Sequence, residues 1–319
     1  MVSLLAALCA GNSAAALAQA YPARPPHLIV PFPAGGSTDL LGRALAKKLS
    51  EGLGQQVIVE NRAGAGGTIG VSAVAKSGAD GYTVGLGTVS TLGMAPVVRA
   101  HPPYQSLSDF APISLVASAP LLLVVTASVP ANSLAELIAL ARARPGRLNF
   151  ASIGEGTLQH FTAEHFKALT GTEIVHVPYK GVAPALVDLL AGQVQMSFDV
   201  LASFQVQNIQ SGRLRALAVA GPARIARLPA VPTMAEAGLP GFEVTAWFGL
   251  IAPAGTPREI VARLNAEVRK AVASTEMREA ISAQGFEPSA GSPEEFAALI
   301  RDEMAKWERV VRASGFKVE

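Results

Sequence analysis

The sequence predicts an α/β protein of two lobes with a ligand cleft between them. Three observations lead there. Short apolar runs beginning at Leu28, Val57, Thr83, Leu148 and Glu173 each feed a turn of glycine or small hydroxyl residues that opens a helix. Two longer apolar stretches, near 113–125 and 242–251, are placed to cross from one lobe to the other. The remainder after residue 253 is helical, so the first lobe takes both ends of the chain and the second takes the middle. Repeated strand, turn and helix argue for parallel sheets whose loops gather at the carboxyl ends of the strands, where such sheets bind ligands.

At 319 residues the chain suits one large domain or two of ordinary size. It carries 26 basic and 24 acidic residues, a net charge of +2, so no broad basic face for nucleic acid is expected. Residues 1–20 have no charge and end in Ala18, Gln19 and Ala20, a pattern cut by signal peptidase. They are expected to be an export signal removed after Ala20. No basic segment precedes the apolar run, which leads to the expectation of a true start upstream of Met1. Leu8 is too large for the small residue a lipoprotein signal wants before its cysteine, so Cys9 is expected to leave with the signal. From Tyr21 onward there is no cysteine, which excludes disulfides, thiolate metal sites and cysteine nucleophiles together. Export without cysteine points to a bacterial periplasm. The expected division is lobe 1 over 21–120 plus 246–319 and lobe 2 over 121–245.

The first unit, VPFPAGGSTDLL from Val30 to Leu41, runs from a strand through a Pro and Gly turn into a helix with Ser37, Thr38 and Asp39 as candidate caps. A helix start carries unpaired N–H groups and the positive end of the dipole, which makes it an anion site. Leu40, Leu41, Ala44, Leu45 and Leu49 recur at helical spacing, with Arg43, Lys47 and Lys48 on the other face, until Gly52 or Gly54. Residues 55–61 read as a strand, and RAGAGGTIG from Arg62 to Gly70 as a second glycine turn. Ile69 stands where the third glycine of a dinucleotide fingerprint belongs, so no such cofactor is expected. TVGLGT, 83–88, ends in Thr88, Val89, Ser90 and Thr91.

The uncharged run between Phe110 and Glu136 is long enough to span a membrane, but Pro112, Pro120 and Pro130 interrupt it, and two buried strands, ISLVA and LLLVV, are predicted. Ser133 and Glu136 form a capping box. LNFAS leads to a turn capped by Thr157, with Leu158, Phe161, His165 and Leu169 as a buried stripe ended by Gly171. The strand at 173–179 leads to Lys180, Gly181 and a helix with Pro184 in its first turn, and 194–200 is a strand finishing at Asp199. Residues 214–220 are a strand, 224–241 a loop with a short helix. Thr256, Pro257 and Glu259 open one terminal helix, and Ser292, Pro293 and Glu295 another, in which Phe296, Leu299, Ile300, Trp307 and Val310 face the core.

No nucleophile elbow, P-loop or H-E-x-x-H is present. His160, Glu164 and His165 come nearest to a metal site, but His165 points about a quarter-turn from the other two on a helix, so no metal is expected. Asp39, Asp199 and Lys180 are the polar candidates for an acid, a base or a charge partner. Asp39 is equally well explained as a helix-start residue. What remains is a cleft with helix starts aimed into it, suited to an anion held by backbone N–H and hydroxyl groups.

VPFPAGGSTDLLGR, VIVENRAGAGGTIG, FASIGEGTLQHFTAEHF, HVPYKGVAPALVDLLAGQVQMSFD and EVTAWFGLIAPAGTP, in that order, resemble the Bug-type periplasmic solute receptors that serve tripartite tricarboxylate transporters. The resemblance covers the chain after the signal. It implies a type II periplasmic binding protein fold and a monomer that closes on a small organic carboxylate and passes it to the membrane subunits of the transporter. It implies neither cofactor nor catalysis. In that family the carboxylate is held by turns of the first lobe, partly through water, and by a helix start of the second. Carried onto this chain, the implied contacts are Phe32, Ala34, Gly35, Gly36, Ser37 and Asp39; Ala65 and Gly66; Thr88 and Ser90; and Ser152, Gly154, Thr157, His160, Lys180, Gly181, Ala185 and Asp199. A component that senses the ligand for a membrane histidine kinase is the alternative on the same scaffold, and an α/β enzyme is a third reading, disfavoured by the absence of a reactive trio.

Overall fold

A computed structural model describes residues 21–314. The expected signal segment, with Cys9 and the cleavage position, lies outside the described residues. In chain order the elements are β1 (His27–Val30), α1 (Ser37–Leu53), β2 (Ile58–Asn61), α2 (Thr68–Ala75), β3 (Thr83–Thr88), α3 (Ala95–Val98), β4 (Phe110–Thr126) and α4 (Leu134–Ala143). They continue with β5 (Leu148–Ser152), α5 (Leu158–Thr170), β6 (Ile174–Pro178), α6 (Val182–Leu190), β7 (Met196–Asp199), α7 (Ser203–Gln210) and β8 (Leu214–Ala220). The chain closes with β9 (Thr245–Pro253), α8 (Arg258–Ala273), α9 (Thr275–Ala283), β10 (Glu287–Pro288) and α10 (Pro293–Ser314).

The strands run in the order β2-β1-β3-β9-β4-β7-β5-β6, with β10 and β8 also on β4. β1 to β3 are parallel, as are β5 to β7, because helices connect them. The crossing strands β4 and β9 are antiparallel to their neighbours, so the sheet is mixed where the sequence predicted it parallel.

The uncharged run is one strand of 17 residues, not two. Its first part, to Pro120, pairs with β9; its second, from Leu121, pairs with β7 and β8. Proline has no N–H to donate, and both prolines sit where a donor is dispensable. Pro112 adjoins a register irregularity, and Pro120 is the last residue paired with β9 before the strand changes partners. The chain returns at Val244, whose carbonyl accepts from Leu121 N–H at 3.0 Å while its own N–H donates to Ala220 at 2.8 Å. Among the described residues no helix is long and apolar enough to cross a membrane.

Apolar faces close both layers. Phe150, Phe166, Phe198 and Phe242 fill the middle of the chain's core, while Trp247, Phe296, Ile300 and Trp307 pin α10 against β9. The capping box of Ser292 and Glu295 forms, with Glu295 N–H donating to Ser292 Oγ at 3.2 Å and Ser292 N–H to Glu295 Oε2 at 2.8 Å. Four details depart from expectation. Leu169 is 50% exposed, and Phe166 takes its place in the buried stripe of α5. Thr256 bonds back to Pro253 and leaves Pro257 at the start of α8. Residues 224–241 form turns without a helix; Thr233 and Glu236 exchange capping-box bonds, at 3.1 and 2.8 Å, but close a single turn. α7 was not expected at all.

Candidate functional site

A cleft of about 770 Å³ opens where the carboxyl ends of β1, β3, β6 and β7 meet. One wall is the loop from Phe32 to Ser37 with Thr38 and Leu40. At the back stand Thr88, Val89 and Ser90, and below them Ala246, Trp247 and Phe248 of β9. The opposite wall carries Lys180 to Pro184 and Asp199 to Gln205. Lys180 and Asp199 are the only ionisable residues lining it, among the described residues.

The opening loop is shaped from behind. Gly35 has φ +83°, a conformation that glycine adopts without strain, and Gly36 takes the N-cap position of α1 without any side chain bonding to the exposed N–H groups. None of the three expected caps therefore serves as one. Asp39, 2% exposed, turns back instead: it accepts from Gly35 N–H, from Arg43 Nε and from Asn61 Nδ2, each at 2.9 Å. Asn61 also donates to Phe32 O at 3.0 Å. Burial alone would raise the Asp39 carboxyl, but the bonds from Arg43, Gly35 and Asn61 outweigh it and hold it below the usual carboxylate range. Asp39 thus fixes the loop and does not line the cleft.

At the end of β3, Thr88 and Thr91 exchange reciprocal hydrogen bonds that start a π-helical turn over Val89–Met94. This turn aims Ser90 across to the other lobe, where its Oγ accepts from Leu158 N–H at 2.9 Å. One N–H at the start of α5 is thereby taken up by Ser90, while Leu158 and Gln159 still line the cleft. Gly156 N–H donates to His160 Nδ1 at 3.2 Å, Thr157 Oγ1 to Gly154 O at 2.6 Å, and Ser152 Oγ pairs with His176 Nε2 at 2.7 Å. His160 stacks on His176 with ring centroids 3.8 Å apart. Burial first, then the closeness of His176, with which it cannot share a second positive charge, and Lys167, pushes His160 down to about 3; burial and Lys167 push His176 down to about 4. Both rings are neutral structural groups. Among the described residues no cluster could hold a metal ion, and His160, Glu164 and His165 do not form one.

Of the residues expected from sequence, Phe32, Ala34, Gly35, Gly36, Ser37, Thr88, Ser90, Lys180, Gly181 and Asp199 share the cleft. Ser152 and Ala185 line a small side cavity next to it, of about 10 Å³. Asp39, Gly154, Thr157 and His160 lie behind the walls. Ala65 and Gly66 do not line the cleft: Ala65 O accepts from Arg99 Nη2 at 2.9 Å, and a Cβ on Gly66 would stand 3.0 Å from Glu155 O of the other lobe.

Sequence reading missed Trp247 and Gln205. Trp247 lines the cleft, is 1% exposed, and its Nε1 has no hydrogen-bond partner; Gln205 Oε1 is likewise buried and unpaired. A buried polar atom without a partner costs about 1–3 kcal/mol, which a ligand can relieve. Trp247 lay within the motif EVTAWFGLIAP and its indole N–H was the available signal. Gln205 sits on α7, whose Gln-rich sequence gave little periodicity to notice.

The sequence pattern of the family described as "Tripartite tricarboxylate transporter family receptor" matches residues 41–316. The chain is 44% identical to protein BugT of Bordetella pertussis over 97% of this chain and 95% of that protein. Among solved structures it is similar to R. palustris Rpa4515 with adipate, at 41% identity and a TM-score of 0.86, covering 93% of this chain and 99% of that one. It is similar also to MatC from Rhodopseudomonas palustris with bound malate, at 34% identity and a TM-score of 0.84, covering 91% and 100%. With a two-lobed fold and a cleft into which backbone donors open, the chain belongs to the tripartite tricarboxylate transporter receptor family and is a periplasmic solute-binding receptor.

Proposed function

We propose that this chain seats one small organic carboxylate against the N–H groups at the start of α1 and delivers it to the membrane subunits of a tripartite tricarboxylate-type transporter. The observation that carries this reading is the uncapped α1 start opening into a cleft with a single lysine and an unpaired indole N–H. The contacts are Phe32, Ala34, Gly35, Gly36, Ser37, Thr88, Ser90, Lys180, Gly181 and Asp199, joined by Trp247. Asp39, Ala65, Gly66, Ser152, Gly154, Thr157, His160 and Ala185 support them without touching the ligand. The lobes divide at 120/121 and 245/246, in support of which β4 changes partners after Pro120 and β9 begins at Thr245. The receptor acts as a monomer after cleavage behind Ala20.

Thermal shift of the chain from Tyr21 against a panel of carboxylates tests the reading. At a ligand concentration a hundredfold above Kd, stability rises by about 2.7 kcal/mol. A panel that leaves the midpoint unmoved, with no ligand retained in native mass spectra, refutes it.

A further inference from the structure

We propose that the ligand of this cleft carries a hydrogen-bond donor, a hydroxyl or an amine, at the far end from its carboxylate, and that Asp199 and Gln205 form the seat for that donor. This rests on the reading of the cleft as a carboxylate site and names the class of carboxylate.

Asp199 ends β7, and Gln205 lies in the first turn of α7, on the wall opposite the start of α1. Ser197 Oγ donates to Asp199 Oδ2 at 2.7 Å, and the Gln205 side chain also hydrogen-bonds Asp199. An amide that offers its N–H to a carboxylate keeps its carbonyl oxygen turned elsewhere, and Gln205 Oε1 is the buried atom left without a partner. The seat therefore presents acceptors: a carboxylate and a carbonyl oxygen. A second carboxylate on the ligand would meet a like charge and an oxygen that cannot donate, whereas a hydroxyl or amine satisfies both. Burial pushes the Asp199 carboxyl up, and the bonds from Ser197 and Gln205 work against that shift by favouring the charged, accepting form.

Size points the same way. The side cavity of about 10 Å³, bounded by Ser152, Ser197, Asp199 and Gln205, has room for about one oxygen or nitrogen atom and not for a carboxylate. The wall of the main cleft beside it is apolar, with Val182, Pro184, Leu186 and Phe204, which suits a hydrocarbon segment between the ligand's two polar ends. No such donor is needed at the α1 end, where the loop itself donates.

Calorimetry with two matched series decides the matter: 6-hydroxyhexanoate, hexanoate and adipate, and 4-hydroxybenzoate, benzoate and terephthalate. In at least one series the hydroxy acid should bind about tenfold tighter than both its plain and its dicarboxylate counterparts. In Gln205→Met and in Asp199→Asn the ratio of hydroxy to plain acid should fall to within about twofold, with circular dichroism confirming that each variant is folded. A dicarboxylate that binds the wild type as tightly as the hydroxy acid overturns the donor seat and leaves the carboxylate receptor standing. A ratio unchanged in both variants overturns it as well. No binding in either series, with malate and succinate also silent, brings down the seat and the carboxylate reading together.

Discussion

At the scale of single residues, the opening loop divides its labour between glycines that line the cleft and an aspartate that does not. Gly36 has φ −79°, open to any residue, and a Cβ there meets only Pro33 O at 3.6 Å. Gly36→Val should therefore fold with a midpoint within a few degrees of wild type, yet lose at least about tenfold in affinity by calorimetry, because the isopropyl group occupies the space over the N–H groups. Wild-type affinity would remove the loop from the site. Trp247→Phe keeps the ring and removes the unpaired N–H; ligand affinity should fall by about tenfold while the unliganded midpoint holds or rises, since a buried orphan donor is gone. The stacked histidines act on stability. Their folded values, about 3 for His160 and about 4 for His176, lie below the 6.5 of an unfolded chain. As pH falls below about 6.5 the unfolded state takes up protons that the folded state refuses, so stability drops toward pH 4 and levels only below the folded values. Denaturant midpoints between pH 7.5 and 5 should fall for wild type and fall less steeply for His176→Gln.

At the scale of elements, sequence and structure agree where a local signal sufficed. The first glycine turn, the Ser292 and Glu295 box, and the crossing of β4 and β9 were all legible, because caps, glycines and apolar runs act through a few neighbouring residues. Other features depended on distant parts of the chain. Pro112 and Pro120 look like strand breakers until β9 and β7 show which side of β4 needs donors. Thr157 and His160 look exposed at a helix start until Ser90 arrives from residues far upstream to cap it. Asp39 looks like a ligand contact until Arg43 and Asn61 close on its carboxylate. Close packing of elements leaves its own prediction. Gly249 of β9 lies beneath the Phe296 ring, where an added Cβ would stand 2.1 Å from the ring edge. Gly249→Ala should destabilise by about 1–3 kcal/mol in urea, by lifting α10 off the sheet, and a neutral result would mean that α10 re-seats freely.

At the scale of the whole molecule, strands join the two lobes and a buried hydrogen bond from Leu158 N–H to Ser90 Oγ spans them. Ser90→Ala should leave the Leu158 N–H without a partner, lower stability by about 1–3 kcal/mol and widen the lobes in small-angle scattering of the unliganded protein. An unchanged scattering profile would make the bond incidental to lobe geometry. The shared strand β4 has a further consequence, for the order in which the polypeptide can assemble. β3 completes its pairing only with β9, Gly85 lying opposite Ile251, so the N-terminal segments must wait until residue 253 has emerged. All the strands of the middle lobe fall within 121–220 and need nothing from the C-terminal third to pair with one another. A chain emerging N-terminus first would thus finish its middle before its beginning, and the glycine loop after β1 would be among the last parts to gain a settled shape.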